Sequence, residues 1–292
     1  MEQERPTIAV ELHGGLGNQL FQAAAALAIG WRIGAEVQFD LSRFRPGTKR
    51  RYELGRFAHG AEELSAPGWL RPGQKLLKAM GLGRKRAPLG FARPLVQEGH
   101  FHFDPRFETI SGSAYLRGLF QSPLYFGPYA HEFRRIFALE PHVSAKAREL
   151  AASLSPRTLA IHIRAGDYQD PKFADIHHVL TPDYYLRAIE RVSAEAQFDQ
   201  VIVMSDSNEA IPSRLPLGLP YGIVSSTSAL DDLFLMSHAR HNIIANSTFS
   251  WWGAWLGNPE GRVVVAPQQW FAPPYQAKVS TKDLFPPHWR MV

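Results

Sequence analysis

The first forty residues constrain the chain more tightly than anything after them. Thr7 to Leu12 (TIAVEL) is an apolar run of strand length, and His13 to Gly17 is a glycine-rich turn. Asn18 is placed to cap a helix running through QLFQAAAALAIGWRIG to Gly34, and Val37 to Asp40 reads as the next strand. Strand, crossover helix and strand in that order make a βαβ unit, which requires a parallel sheet with helices on its faces.

The alternation returns after Pro156. Thr158–Ile163, Gln200–Met204, Asn242–Ala245 and Arg262–Ala266 read as strands. Thr181-Pro182-Asp183 opens a helix, with proline at its first position, and Ala229–Arg240 and Thr248–Leu256 read as two more. This is the pattern of a doubly wound α/β sheet. A chain of 292 residues has room for two such units of roughly 150 each. The boundary is expected near residue 150, giving an N-terminal domain 1–150 and a C-terminal domain 151–292. Proline and glycine break up residues 43 to 130, where no element is assigned.

Composition matters here for what it excludes. Hydrophobic residues at 45% and charged residues at 20% suit a folded core and argue against disorder. With no cysteine, disulfides, thiolate metal sites and cysteine nucleophiles are all ruled out. The start, MEQERPTIAVELHGG, lacks the pattern of a signal peptide, and no run approaches the roughly 20 apolar residues of a membrane span, so a cytoplasmic protein is expected. The stretch 69–93 is basic and partly amphipathic. It reads either as a helical insertion with its cations in water or as a peripheral contact with anionic lipid at the inner face of the membrane. A net charge of +5 favours an anionic ligand without selecting one. No basic aromatic stripe or recognised module is present, so no nucleic-acid partner is expected.

Open parallel sheets bind ligands beyond the carboxyl ends of their strands. Four strand ends here carry small, polar or charged residues directly after an apolar run. They are His13 to Asn18, His162 to Tyr168, Ser205 to Ser207 and Asn246 to Ser250. In HGGLGN the glycines by themselves explain a tight turn, whereas His13 and Asn18 beside them point to a site. The spacing is not that of a dinucleotide loop, since no third glycine follows at the required position. In HIRAGDY, Arg164 sits where its planar fork suits a diphosphate; an ion pair with Asp167 is the alternative, and His162 also reads as a buried histidine. Asn246, Ser247 and Thr248 lie where a strand hands over to a helix, a position that offers N–H groups to an anion. Trp251, Trp252 and Trp255 fall on one helix surface and read as core. Asp206 suits a guanine edge or a ribose, or a helix cap. Asp231 and Asp232 read as a solvated face at a helix start. The twelve histidines are scattered without metal-ligand spacing, so no metal or other cofactor is expected.

Together HGGLGNQLFQ, HIRAGDY and ANSTFSWWGAWL resemble the α-1,2-fucosyltransferases of glycan synthesis, over roughly half the chain. The resemblance implies an α/β protein of the GT-B fold, two Rossmann-like domains with a ligand cleft between them. It further implies inverting, metal-independent transfer of L-fucose from GDP-fucose to the 2-hydroxyl of a terminal galactose on a glycan acceptor. It places His162 and Arg164 at the diphosphate, Asp206 at the guanosine, and Ser247, Thr248 and Phe249 at a phosphate-binding turn. The loop of His13, Gly15 and Asn18 then faces the fucose and the acceptor. Among His13, Asp167 and Glu11 as candidates for the general base, His13 is preferred. The family usually carries two adjacent arginines in the second motif; here the second position is Ala165. Rival readings are transfer of another GDP-sugar or to another acceptor, and an inactive nucleotide-sugar or glycan-binding protein.

Overall fold

Strand β1 (Thr7–Glu11) is buried along its whole length, as expected of a central parallel strand covered on both faces. A computed structural model describes residues 5–64, 94–164, 174–207, 211, 220–224 and 228–292. These gather into two compact units: residues 1–136 with 281–284, and residues 137–280 with 285–292.

In the first unit, β1 is followed by α1 (Leu16–Ile33) and β2 (Glu36–Asp40), the βαβ unit read from the sequence. Short strands β3 (Glu62–Leu64), β4 (Leu95–Gln97) and β5 (Ala114–Arg117) complete a five-stranded parallel sheet in the order β3-β2-β1-β5-β4. The register pairs Glu11 with Asp40 and Val10 with Leu116, so the ends of β1, β2 and β5 lie side by side. Helix α1 is alanine-rich and buries most of its surface, and Gly34 ends it in the left-handed conformation. Gly15 precedes its first turn; Asn18, expected as the cap, lies inside the helix instead. The unit closes with α2 (Ala130–Ile136), whose Phe133 stacks on Trp31 of α1 at 4.8 Å.

The second unit holds α3 (Ala145–Ala152), β6 (Thr158–Ile163), α4 (Pro182–Glu195), β7 (Gln200–Ser205) and β8 (Gly222–Ile223). It continues with α5 (Ala229–His238), β9 (His241–Ile243), α6 (Thr248–Leu256), β10 (Val264–Ala266), α7 (Pro273–Gln276) and β11 (Arg290–Met291). Its six-stranded parallel sheet runs β11-β10-β9-β6-β7-β8. Leu159, Ile161 and Ile163 of β6 pack on Tyr185, Ala188 and Val192 of α4. On α6, Trp251 and Trp252 are fully buried and Trp255 nearly so, in a cluster with Trp289, as a core role requires.

The division between units falls after Ile136, earlier than the position near residue 150 expected from the sequence. The physical reason lies at Ser144. Its backbone N–H and hydroxyl both donate to the carboxylate of Asp231, at 2.9 and 3.0 Å, which ties the start of α3 to α5. Asp231 is consequently buried, not part of a solvated face.

Candidate active site

The carboxyl ends of the two sheets carry the sequence-predicted site residues, and each unit has its own group. In the first unit, β1 ends at Glu11 and the chain turns through His13 and Gly14, which takes a φ of +84°. A left-handed residue there favours glycine. The turn is fixed by two glutamines of α1, both fully buried. Gln22 accepts from the His13 N–H at 2.9 Å and donates to the Gly118 carbonyl at 3.3 Å. Gln19 donates to the carbonyls of Gly14 and Arg51 and accepts from the Glu53 N–H. Asn18 accepts a hydrogen bond from Gln121 at 3.1 Å, which orients its amide toward the segment after β5. Two buried amides on an otherwise apolar helix are a signal present in the sequence; their role was not read there.

Glu11, a candidate base, is 5% exposed and has an arginine at each oxygen: Arg43 at 3.1 Å on Oε1 and Arg117 at 3.7 Å on Oε2. Both oxygens of this carboxylate thus face cations of the protein rather than a substrate. Beside it Asp40, with its carboxyl raised above the usual range chiefly by burial, accepts from the Tyr115 hydroxyl and the Ser42 N–H. Burial holds the His13 imidazole below its ordinary value; the Glu11 charge opposes this and Arg43 adds to it. His13 is therefore neutral at neutral pH and able to take a proton. A cavity of about 370 Å³ opens over His13 and Gly14 and is walled by Arg43, Phe44, Lys49 and Arg50.

In the second unit the ends of β9, β6 and β7 are neighbours, and each contributes. Arg164, just past β6, forms an ion pair with Asp206, just past β7, with Nη1 and Oδ2 at 3.2 Å and both side chains partly exposed. The register explains the pairing, since Ile163 and Ser205 are partners across the two strands. Thus Arg164 meets a carboxylate from the adjacent strand; Asp167, the expected alternative partner and a candidate base, lies outside the described residues together with Ala165. His162 is fully buried against Phe249, with ring centroids 5.5 Å apart. Its pKa is lowered to about 4 by burial, with Arg164 adding and Asp206 opposing. Its Nδ1 has no hydrogen-bond partner among the described residues.

At the end of β9, Ser247 precedes α6 without a side-chain cap, and the first turn of α6 carries no acid. Such a helix start presents N–H groups and the positive end of the helix dipole. Asn246 differs in role from its neighbours. It is buried, and its amide nitrogen donates to the carbonyls of His178 and Trp270 at 2.8 and 2.9 Å, so it braces the turn. Among the described residues no cluster of His, Asp or Glu is arranged to hold a metal ion. No described helix is long and apolar enough to cross a membrane, and the segment 69–93 lies outside the described residues.

Two parallel-sheet units of this kind are the GT-B architecture of glycosyltransferases, and solved structures agree. Fucosyltransferase NodZ from Bradyrhizobium aligns with a TM-score of 0.51 at 14% identity, over 87% of this chain and 94% of that one. A GDP-bound variant of Arabidopsis thaliana FUT1 aligns at 0.50 and 13% identity, over 90% and 71%. The chain belongs to glycosyltransferase family 11, whose model, Glycosyl transferase family 11, matches residues 102–292. It is similar to the O-antigen biosynthesis glycosyltransferase WbnK of Escherichia coli, 29% identical over 92% of this chain and 96% of that protein. It is also similar to an alpha-1,2-colitosyltransferase of Escherichia coli, 27% identical over 97% of each.

Proposed function

We propose that this chain transfers L-fucose from GDP-fucose to the 2-hydroxyl of a terminal galactose on a glycan acceptor, with inversion and without a metal. The observation that carries the reading is the convergence of Arg164, Asp206 and the open start of α6 at three adjoining strand ends. A GDP-sugar needs a fixed cation and N–H donors at its diphosphate and a carboxylate at its guanosine or ribose, and these ends supply each. The acceptor hydroxyl attacks the anomeric carbon, the bond to the β-phosphate oxygen breaks, and negative charge grows on departing GDP. Arg164 and the α6 N–H groups stabilise that charge. His13, kept neutral by burial, receives the hydroxyl proton in this reading. The names of the two relatives support an O-antigen glycan as acceptor and an α-1,2 linkage. The second relative also supports a rival transferred sugar, colitose.

The test is a matrix of GDP-fucose, GDP-colitose and GDP-mannose against galactose-terminated acceptors, with linkage analysis by NMR and chelator in half the wells. The expected outcome is a β-to-α inverted fucosyl-α-1,2-galactose product that the chelator does not diminish. Product from another donor alone, another linkage, or no product at all would overturn the reading. Because the His13 pKa is lowered, the acid limb of kcat/KM should lie below pH 6.5. That limb should vanish in His13→Ala; its persistence would remove His13 as the base.

A further inference from the structure

The cavity over His13 and Gly14 is dominated by cations. Arg43, Lys49 and Arg50 line it with Phe44 and Thr48, and the segment 43–50 (RFRPGTKR) that supplies them holds no acid. Lysine and arginine have no acceptor atoms, whereas the hydroxyls of a neutral sugar need acceptors as well as donors. An anion offers acceptors alone, and so matches such a wall.

Three further features concentrate positive charge there. Arg43, on the cavity wall, and Arg117 both face the carboxylate of Glu11. Lys49 is exposed and, among the described residues, makes no hydrogen bond or ion pair. The guanidinium of Arg50 lies over Gly15, 3.6 Å from where a Cβ at that position would stand. Gly15 opens α1, which starts without a side-chain cap and without an acid in its first turn. The helix start therefore adds its own partial charge beneath Arg50.

The geometry points to an anion-binding acceptor subsite in the first unit, where Lys49 and Arg50 hold a carboxylate or phosphate on the sugar next to the terminal galactose. Phe44 offers its ring to the apolar face of that sugar. The assignment rests on the reading that this unit receives the acceptor. Uronic acids and sugar phosphates share the required chemistry, and the test separates them.

The full-length protein is assayed with three acceptors that share a terminal galactose: neutral lactose, its carboxylate analogue lactobionate, and lactose 1-phosphate. The expected result is a KM about tenfold lower for at least one charged acceptor than for lactose, with the advantage shrinking as salt is raised. The more favoured of the two identifies the anion. In a Lys49→Gln, Arg50→Gln double variant the advantage should disappear, while KM for lactose and for the donor stays within about twofold. Equal KM values for all three acceptors in the unmodified protein would overturn the subsite. So would a raised donor KM in the double variant with acceptor preference intact, which would assign the cations to the donor diphosphate. If no acceptor yields product, the proposed transfer has failed. Calorimetric titration with lactobionate and lactose then decides the subsite separately, since equal binding of the two sinks it.

Discussion

Both units end their central strands in an arginine–carboxylate pair, but the two pairs are built to opposite purposes. In the first unit Glu11 is buried between Arg43 and Arg117, with a cation at each of its oxygens. In the second, Arg164 pairs with Asp206, and the two keep 18% and 24% of their side-chain surfaces in contact with solvent. A buried carboxylate held at both oxygens fixes a strand end in place. A half-open pair can exchange its partner for a ligand, because the arginine loses little when a diphosphate replaces the carboxylate. The same residue types at equivalent places thus serve as brace in one unit and as grip in the other.

The comparison can be broken most forcibly at Arg164. Replacing it with alanine should lower kcat by roughly 10²–10³ at saturating donor, the usual loss for a group that stabilises departing charge. Circular dichroism and melting should show the protein still folded. Turnover close to that of the unmodified enzyme would make Arg164 a second brace.

The next effect is read in stability rather than rate. The folded pKa of His162 is about 4, against 6.5 for the free side chain. Between those values the unfolded chain binds the proton and the folded one does not, so stability falls as pH falls. The contribution is fully present above pH 6.5 and lost progressively toward pH 4, by about 3 kcal/mol in total. Denaturant unfolding across that window should show a shallower loss in His162→Asn. Parallel curves for the two proteins would mean that His162 titrates normally.

The smallest effect belongs to the brace. Glu11→Gln should lower stability by about 1–2 kcal/mol, since Arg117 loses its charged partner while Arg43 turns to water. Donor KM should not move. A large rise in donor KM with unchanged stability would invert the roles of the two pairs.

Much of the second unit was legible in the sequence. β6 and α6 were read with the bounds the structure shows, because each is a dense apolar run with abrupt polar ends. Strands β3, β4 and β5 were not, since EEL, LVQ and AYLR are too short and too mixed in polarity to show a period; pairing with distant neighbours creates them. Asn18 was expected at the helix cap, but Gly15 lets the helix begin earlier and leaves Asn18 to meet Gln121. The candidate residues Arg164, Asp206, Ser247 and His13 are legible from strand-end position, from side-chain chemistry and from the family resemblance. Their partners were invisible, because nothing local in the chain connects Glu11 to Arg117 or Ser144 to Asp231.

The clasp made by Gln22 has a bearing on how the molecule is born. It joins the His13 N–H to the carbonyl of Gly118, which lies 96 positions along the chain from the glutamine. A ribosome adding about 5–20 residues per second takes roughly 5–20 seconds to make that span. Through that interval the amino-terminal loop has been synthesised but lacks the strand that completes its frame. The nascent chain therefore carries its motif HGGLGN long before the turn can settle, and the loop takes its final form late, when β5 docks beside β1.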